Sequence, residues 1–194
     1  MVTIDRATPS AVRHVIYALH HATRIARGIA MEPWRRSSWG LLLNLPCFAV
    51  VLPGRVYRAG SPRAAAHYRQ VLDLGIKTLL CVRYGGPSLE LREFAAEHGI
   101  ELRCYDLNRG GQYDLEAAQR AAYDALDPAL HPALICCEGG RHHAGMVVAL
   151  LRLSTGYSLE EALAEYISFA APSPFADNVL FIVRAARQLP ALAQ

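Results

Sequence analysis

One segment of the sequence combines residue types that could perform nucleophilic chemistry. It reads Ala133-Leu-Ile-Cys-Cys-Glu-Gly-Gly-Arg-His-His-Ala-Gly145 and continues as an apolar stretch to Arg152. This pattern predicts a buried strand, a glycine-containing loop and an apolar helix. Successive backbone N–H groups of such a loop can converge on one oxyanion, and the helix adds the positive end of its dipole. The segment therefore predicts an anion site at the start of the helix.

Cys137 stands at the entrance of this loop. The field that attracts an anion also favours a thiolate, so we expect a lowered pKa and a nucleophilic sulfur. Cys136, Cys137, His142 and His143 could also be interpreted as a soft metal cluster. Adjacent cysteines on a strand point to opposite faces, and adjacent histidines rarely share one ion. We therefore expect no metal and no other cofactor.

The elements that must position the loop follow an α/β order after residue 45. Five strand-like runs are predicted at Phe48–Leu52, Val56–Arg58, Lys77–Val82, Glu101–Asp106 and Ala133–Cys137. Six helices are predicted: one opened by Ser61-Pro62, one from Ser88 to His98, one from its cap Asp114 to about Leu126, one over Ala144–Leu153, one opened by the capping box Ser158-Leu-Glu-Glu161, and one opened by Ser173-Pro174 that ends near Leu189.

The loop resembles that of the cysteine-dependent dual-specificity phosphatases, in particular the atypical plant and fungal branch and its bacterial relatives. That branch reads Cys-x-x-Gly-Lys-His-Arg-Thr-Gly, and the matching positions here are Cys137, Gly140, Arg141, His142 and Gly145. The segment 51–62 resembles the entry motif Gly-x-Tyr-Arg-Ser-Gly-x-Pro, 74–80 a core strand, and 161–166 the helix after the loop. The resemblance covers roughly residues 45–186. It implies a protein-tyrosine-phosphatase-like α/β fold with a central mixed sheet of about five strands flanked by helices.

The resemblance also implies a role for each site residue. Cys137 would be the nucleophile, and the phosphate would be bound by the loop residues Glu138, Gly139, Gly140, Arg141, His142 and His143. The general acid would be Asp106, 31 positions upstream of Cys137, with Asp114 as second choice. The plainer alternatives are a turn or strand-end role for Asp106, a helix cap for Asp114 and a solvated loop position for Arg141.

Three departures from the family pattern concern the chemistry itself. His143 stands where the family has an arginine that binds two phosphoryl oxygens, Ala144 replaces a hydroxyl residue, and Cys136 replaces a histidine. Imidazole offers one bond and a partial charge near pH 7, whereas guanidinium offers a permanent fork. We expect a phosphatase with attenuated activity on a phosphorylated protein or a small phosphoester such as an inositol phosphate. The alternative is an inactive pseudophosphatase that binds phosphorylated ligands.

The amino-terminal arm differs from the rest of the chain in charge. Residues 1–40 carry six arginines against Asp5 and Glu32, within a net charge of +3 for the whole chain. Apolar residues recur at helical spacing over residues 11–27, which predicts a basic amphipathic helix followed by a linker, with the phosphatase-like domain over 41–194. The helix would either dock on the domain or contact an anionic membrane or a partner. The charge density is too low for nucleic-acid binding.

The cysteines and the apolar runs bear on location. Five irregularly spaced cysteines without a signal peptide are typical of a reducing compartment, so we expect a cytoplasmic protein that is at most peripheral to a membrane. The apolar runs are shorter than a membrane span requires. Cys81 and Cys104 are predicted to be small buried residues of core strands, and one of them could act as a resolving thiol for Cys137.

Overall fold

The computed structural model of the chain describes residues 45–109, 111–171 and 174–188. Its strands are β1 (Ala49–Leu52), β2 (Val56–Gly60), β3 (Thr78–Val82), β4 (Glu101–Tyr105), β5 (Asn108–Arg109), β6 (Gln112–Tyr113) and β7 (Ala133–Cys137). Its helices are α1 (Ala65–Asp73), α2 (Leu89–Glu97), α3 (Leu115–Leu126), α4 (His143–Ser154), α5 (Leu159–Ala170) and α6 (Ala176–Gln188), with a 3-10 turn at Pro128–Leu130. The domain predicted over residues 1–40, its helix over 11–27 and the predicted cap Ser173 lie outside the described residues. None of the described helices has the length and apolar character needed to cross a membrane.

The central sheet is mixed and has five strands in the order β1-β2-β7-β3-β4. β2, β7, β3 and β4 are parallel to one another, whereas β1 pairs with β2 in the antiparallel direction. β7 is the central strand, so its carboxyl end lies between the carboxyl ends of β2 and β3. The fold class and all five predicted strands are confirmed.

The two faces of the sheet carry separate apolar clusters. Successive side chains of a strand point to opposite faces, so Ile135 and Cys137 belong to the larger cluster whereas Leu134 and Cys136 belong to the smaller one. The larger cluster includes residues of α3, α4, α5 and α6, and the smaller one residues of α1 and α2. The sheet is therefore covered on both sides, and Cys137 lies on the four-helix side.

Side-chain caps fix the starts of three helices where the sequence predicts them. The side chains of Ser88 and Asp114 accept hydrogen bonds from the third residue after each, at the starts of α2 and α3. Ser158 and Glu161 form the complete reciprocal capping box of α5. Each such cap stabilises a helix by about 1 kcal/mol. These caps also position the loop, because α3 and α5 pack against α4.

Two sequence predictions are wrong, namely the helix cap at Ser61 and the burial of Cys104. Ser61 does not open α1, which begins at Ala65 after Ala64, a residue without a side-chain cap. The Ser61 N–H instead donates to the Cys137 carbonyl at 2.8 Å, so the chain continues along β7 for one residue beyond β2. Cys104 is exposed rather than buried, because β4 is an edge strand of the sheet.

Candidate active site

The loop from Glu138 to His142 joins the central strand β7 to α4. Cys137 ends the strand and is 3% exposed, and every residue of α4 from Ala144 to Arg152 is buried. Packing of residues 144–152 therefore fixes the position of the helix and of its first turn. The strand, loop and helix predicted from the sequence are confirmed, and the arrangement brings the amino-terminal end of α4 next to the thiol.

Two glycines allow the loop to lie directly on β2. Gly140 has a φ of +70°, and a Cβ built there would lie 2.4 Å from the Gly60 nitrogen and 2.5 Å from the Ala59 carbonyl carbon. Gly60 has little more room, since a Cβ there would be 3.3 Å from the Glu138 oxygen. The left-handed backbone and the close approach both require glycine at 140.

The loop and the start of α4 influence the pKa of the Cys137 thiol. Burial raises the pKa of Cys137 above its ordinary value, whereas hydrogen bonds from the Ala144 and Gly140 backbones and the charge of Arg58 lower it. The loop therefore acts in the predicted direction, but burial outweighs it. The predicted net lowering of the Cys137 pKa is wrong, because the thiol is deeply buried and the loop N–H groups offset only part of the cost of burying a charge.

His143 begins α4 and lies at the edge of an aromatic cluster. Its ring is 6.0 Å from that of Tyr113 in an edge-on arrangement, and Tyr113 makes a similar contact with Phe181 at 5.6 Å. Burial lowers the pKa of His143, as does His142, whereas Asp106 raises it. The neutral imidazole is thus favoured over the partial charge expected near pH 7, and Asp106 is the carboxylate that opposes this effect.

The two acidic candidates occupy different environments. Asp106 is exposed just after β4, and its Oδ1 accepts a hydrogen bond from the Asn108 backbone at 2.9 Å. Asp114 caps α3 by accepting from the Ala117 N–H at 3.1 Å. The Asp106 carboxylate raises the pKa of His143 and is exposed to solvent, whereas the Asp114 carboxylate accepts a hydrogen bond from the first turn of α3. The structure supports the helix-cap interpretation of Asp114, and the role of Asp106 as the acid stays a prediction.

Three other loop side chains make contacts with residues outside the loop. The exposed Glu138 forms an ion pair with Arg63 at 3.1 Å. The Arg141 Nε lies 3.4 Å from the Cys47 sulfur, and the His142 ring contacts Phe175 in a tilted arrangement with centroids 4.3 Å apart. Glu138 and Gly139 therefore present only backbone groups to an anion, whereas Arg141 remains exposed at the mouth of the loop.

Arg58 is a site residue that our sequence reasoning did not single out. It is fully buried on β2, and its Nη2 donates to the carbonyls of Gly140 at 2.8 Å and Arg141 at 3.3 Å. The available signal was its place in the Tyr-Arg part of the entry motif. The short β5–β6 hairpin was also missed, although paired glycines at 110 and 111 are typical of such a turn.

The two cysteines suggested as resolving thiols, Cys81 and Cys104, do not lie beside Cys137. The Cys81 and Cys136 sulfurs are 3.3 Å apart in the smaller apolar cluster, on the opposite face of the sheet from Cys137. Cys104 is exposed. The suggestion of a resolving thiol at 81 or 104 is therefore wrong. Within the described ranges, no group of three or more His, Cys, Asp or Glu residues is arranged to hold a metal ion.

The sequence is similar to those of known phosphatases. The sequence model described as "Tyrosine phosphatase family" matches residues 42–188. The chain is 30% identical over 122 residues to the Kluyveromyces lactis protein named "Putative tyrosine-protein phosphatase OCA1", covering 59% of this chain and 58% of that protein. It is 31% identical over 160 residues to inositol diphosphatase DSP1 of Oryza sativa subsp. japonica, covering 78% of this chain and 71% of the relative. The chain thus spans little more than half the length of the fungal relative.

A solved structure agrees with these relatives. The core catalytic domain of the PP-IP phosphatase SIW14 from S. cerevisiae, in complex with citrate, superposes with a TM-score of 0.66 at 26% identity. The match covers 73% of this chain and 86% of the yeast domain. The resemblance inferred from the loop is confirmed at the level of both sequence and fold.

Proposed function

The chain belongs to the tyrosine phosphatase family, and from this membership we propose that it hydrolyses phosphoric monoesters with Cys137 as the nucleophile. The observation that carries the proposal is the position of the buried Cys137 at the end of β7, against the start of α4, where the Ala144 and Gly140 backbones favour its thiolate. A phosphoryl group held there would accept hydrogen bonds from the same loop, and the helix dipole would add to its stabilisation.

The reaction would proceed in two displacements. The Cys137 thiolate attacks phosphorus while the bond to the leaving oxygen breaks and Asp106 donates a proton to that oxygen, which gives a phosphocysteine. A water molecule then attacks phosphorus and gives its proton to the Asp106 carboxylate. The sulfur–phosphorus bond breaks, which releases inorganic phosphate and regenerates the thiolate.

Charge stabilisation would be divided among several groups. Arg141 contributes a permanent cation at the exposed mouth of the loop. His143, whose pKa is lowered by burial, contributes one hydrogen bond from a largely neutral ring near pH 7. Because a neutral donor stabilises developing phosphoryl charge less than a bidentate guanidinium does, we propose an activity below that of an enzyme with arginine at this position.

We propose a phosphorylated small molecule as the substrate, with inositol phosphates as the first class to test. The names of the rice and yeast relatives support this choice, since they denote an inositol diphosphatase and a PP-IP phosphatase. Release of inorganic phosphate from an inositol polyphosphate, a phosphotyrosine peptide and an aryl phosphate, compared at equal concentration, would decide the class. A higher kcat/KM on the peptide would favour a phosphoprotein substrate instead.

A phosphate-binding protein without turnover is the second candidate. It is favoured by the raised pKa of Cys137, which reduces the thiolate fraction at neutral pH, and by the neutral state of His143. In that case the loop would bind phosphorylated ligands by its backbone donors alone.

Turnover of an aryl phosphate by wild type and by Cys137→Ser separates the two candidates. For an enzyme, we expect Cys137→Ser to lose several orders of magnitude in kcat, because the nucleophile is removed. Cys104→Ser is the matched control, since Cys104 is an exposed thiol on the edge strand, and it should keep the wild-type rate. Equal rates in wild type and Cys137→Ser would exclude the enzyme, and phosphate binding without turnover would then identify the binding protein.

A further inference from the structure

Arg58 places a guanidinium directly beneath the loop. Its side chain has 0% exposure, and the guanidinium carbon lies 4.0 Å from the centroid of the Phe169 ring on α5. The Nη2 atom bridges the carbonyls of Gly140 and Arg141. A Cβ at Gly145 would lie 3.4 Å from the same Nη2, so the first turn of α4 also packs against this group.

The buried guanidinium is incompletely satisfied. Its Nε and Nη1 atoms are buried and have no hydrogen-bond partner among the described residues. The nearby Glu165 carboxylate accepts from Arg152 at 2.7 Å instead. Burial of a cation without a paired anion is costly, and such a residue is destabilising unless another negative charge offsets the cost.

The charges that face Arg58 come from four parts of the chain. Burial lowers the pKa of Arg58. Glu165 on α5, Cys137 on β7 and Cys47 before β1 raise it, and Arg152 on α4 lowers it. Of the acidic groups, Cys137 is the one whose thiolate the Ala144 and Gly140 backbones also favour. Cys137 in turn is influenced by Cys136, which raises its pKa, and by Arg58, which lowers it.

We propose that Arg58 is a positioning residue that holds the Gly140 and Arg141 carbonyls away from the anion and supplies a fixed positive charge behind the loop. Its charge would offset in part the absence of an arginine at position 143. The inference rests on the proposed function, because the anion that it serves is the thiolate and the phosphoryl group. This role explains the incomplete pairing of Arg58, because the negative charge that offsets its burial is the thiolate or the phosphoryl group bound in the loop.

The experiment measures the thiol and the anion without requiring turnover. Alkylation of Cys137 by iodoacetamide is followed against pH by peptide mass spectrometry, which distinguishes Cys137 from Cys47 and Cys104. Protection of Cys137 by inorganic phosphate gives the affinity of the loop for the anion. The variants are Arg58→Met, which removes the charge and the fork, and Arg58→Lys, which keeps the charge and loses the fork.

We expect Arg58→Met to move the alkylation midpoint to higher pH and to weaken phosphate protection on the order of tenfold, the loss of one charge-assisted interaction. Arg58→Lys should keep the midpoint near that of wild type but weaken protection, because the lysine side chain is one bond shorter and does not bring its ammonium to the position from which Nη2 bridges the two carbonyls. Arg103→Met is the matched control, an arginine on the edge strand β4, two strands from β7, whose Nη1 donates to Asp124 at 2.7 Å. It should lower the melting temperature without changing either readout.

A folded Arg58→Met protein with the wild-type midpoint and wild-type phosphate protection would overturn the proposal and leave Arg58 a purely structural role. If Arg58→Met does not fold, Arg58→Lys decides, and wild-type phosphate protection in that variant would overturn the proposal equally. Failure of the proposed function has a different signature: wild type and Cys137→Ser would turn over the aryl phosphate equally, whatever the alkylation profile of the Arg58 variants.

Discussion

Substitution of Gly140 by alanine tests whether the close contact between the loop and β2 shapes the site. The new methyl carbon would begin 2.4 Å from the Gly60 nitrogen and 2.8 Å from the Ala59 oxygen, all of them backbone atoms. The Gly60 N–H is itself bound to the Pro46 carbonyl at 2.6 Å. Neither side of the contact therefore has a flexible side chain that could move aside, and the loop must shift as a whole.

The expected cost follows from these distances and from the φ of +70°. A non-glycine residue in the left-handed region costs about 1–2 kcal/mol, and forcing a methyl group into a packed site costs about 1–3 kcal/mol. Alanine recovers about 0.4–1 kcal/mol by restricting the unfolded chain. We therefore expect the free energy of unfolding to fall by roughly 2–4 kcal/mol, or about 5–15 °C in Tm for a domain of this size.

Gly139→Ala is the matched control, because a Cβ at Gly139 meets no heavy atom within 4 Å. Its effect on the free energy of unfolding should stay within about 0.5 kcal/mol. Both proteins would be compared by calorimetry and by inorganic phosphate protection of Cys137. Gly140→Ala should also bind phosphate more weakly, because the Gly140 donor moves with the loop. Equal Tm values for the two variants would refute the argument that contact with β2 holds the loop.

Two further predictions concern the polar groups around Cys137. His143→Arg should raise kcat on an aryl phosphate on the order of 10²–10³. Phosphate affinity in wild type should weaken as pH rises through the lowered pKa of His143, whereas the arginine variant should keep its affinity. Unchanged turnover and an unchanged pH profile in this variant would reject the alignment of His143 with an arginine. Asp106→Asn should lower kcat on the order of 10²–10⁴ for an alkyl phosphate and lower the pKa of His143 further, as seen by NMR titration. Asp114→Asn is its control, since asparagine also caps a helix; equal kcat values for the two asparagine variants would exclude Asp106 as the acid.

Local patterns were sufficient for most of the fold. The apolar runs of β3 and β7 and the caps at Ser88, Asp114 and Ser158 are signals carried within a few residues, and the structure has each element where the pattern predicts it. Ser61 does not cap α1 because the bond from its N–H to the Cys137 carbonyl, 76 positions away, keeps it in line with β2, four residues before the helix begins at Ala65. A contact between distant strands overrides a local preference and leaves no trace in the neighbouring residues.

The site was predictable in its position but not in its electrostatics. The glycines and Cys137 follow from the strand, loop and helix order, whereas the pKa of a thiol depends on how deeply the finished fold buries it. Arg58 lies within a strand pattern in which an arginine would ordinarily face solvent, and its burial results from the packing of α4 and α5 over β2. The states of Cys137 and His143 likewise depend on neighbours contributed by separate elements.

The unbroken burial of α4 from Ala144 to Arg152 also determines how the site is lost. Local opening of a protein starts in segments with few buried contacts, and residues 144–152 are buried without interruption. The buried turns of α4 cannot unravel by themselves, so the amides that bond within this helix should exchange with deuterium only through global unfolding. Heating should then abolish phosphate binding and the fold at one temperature, with no interval in which a folded protein lacks its loop.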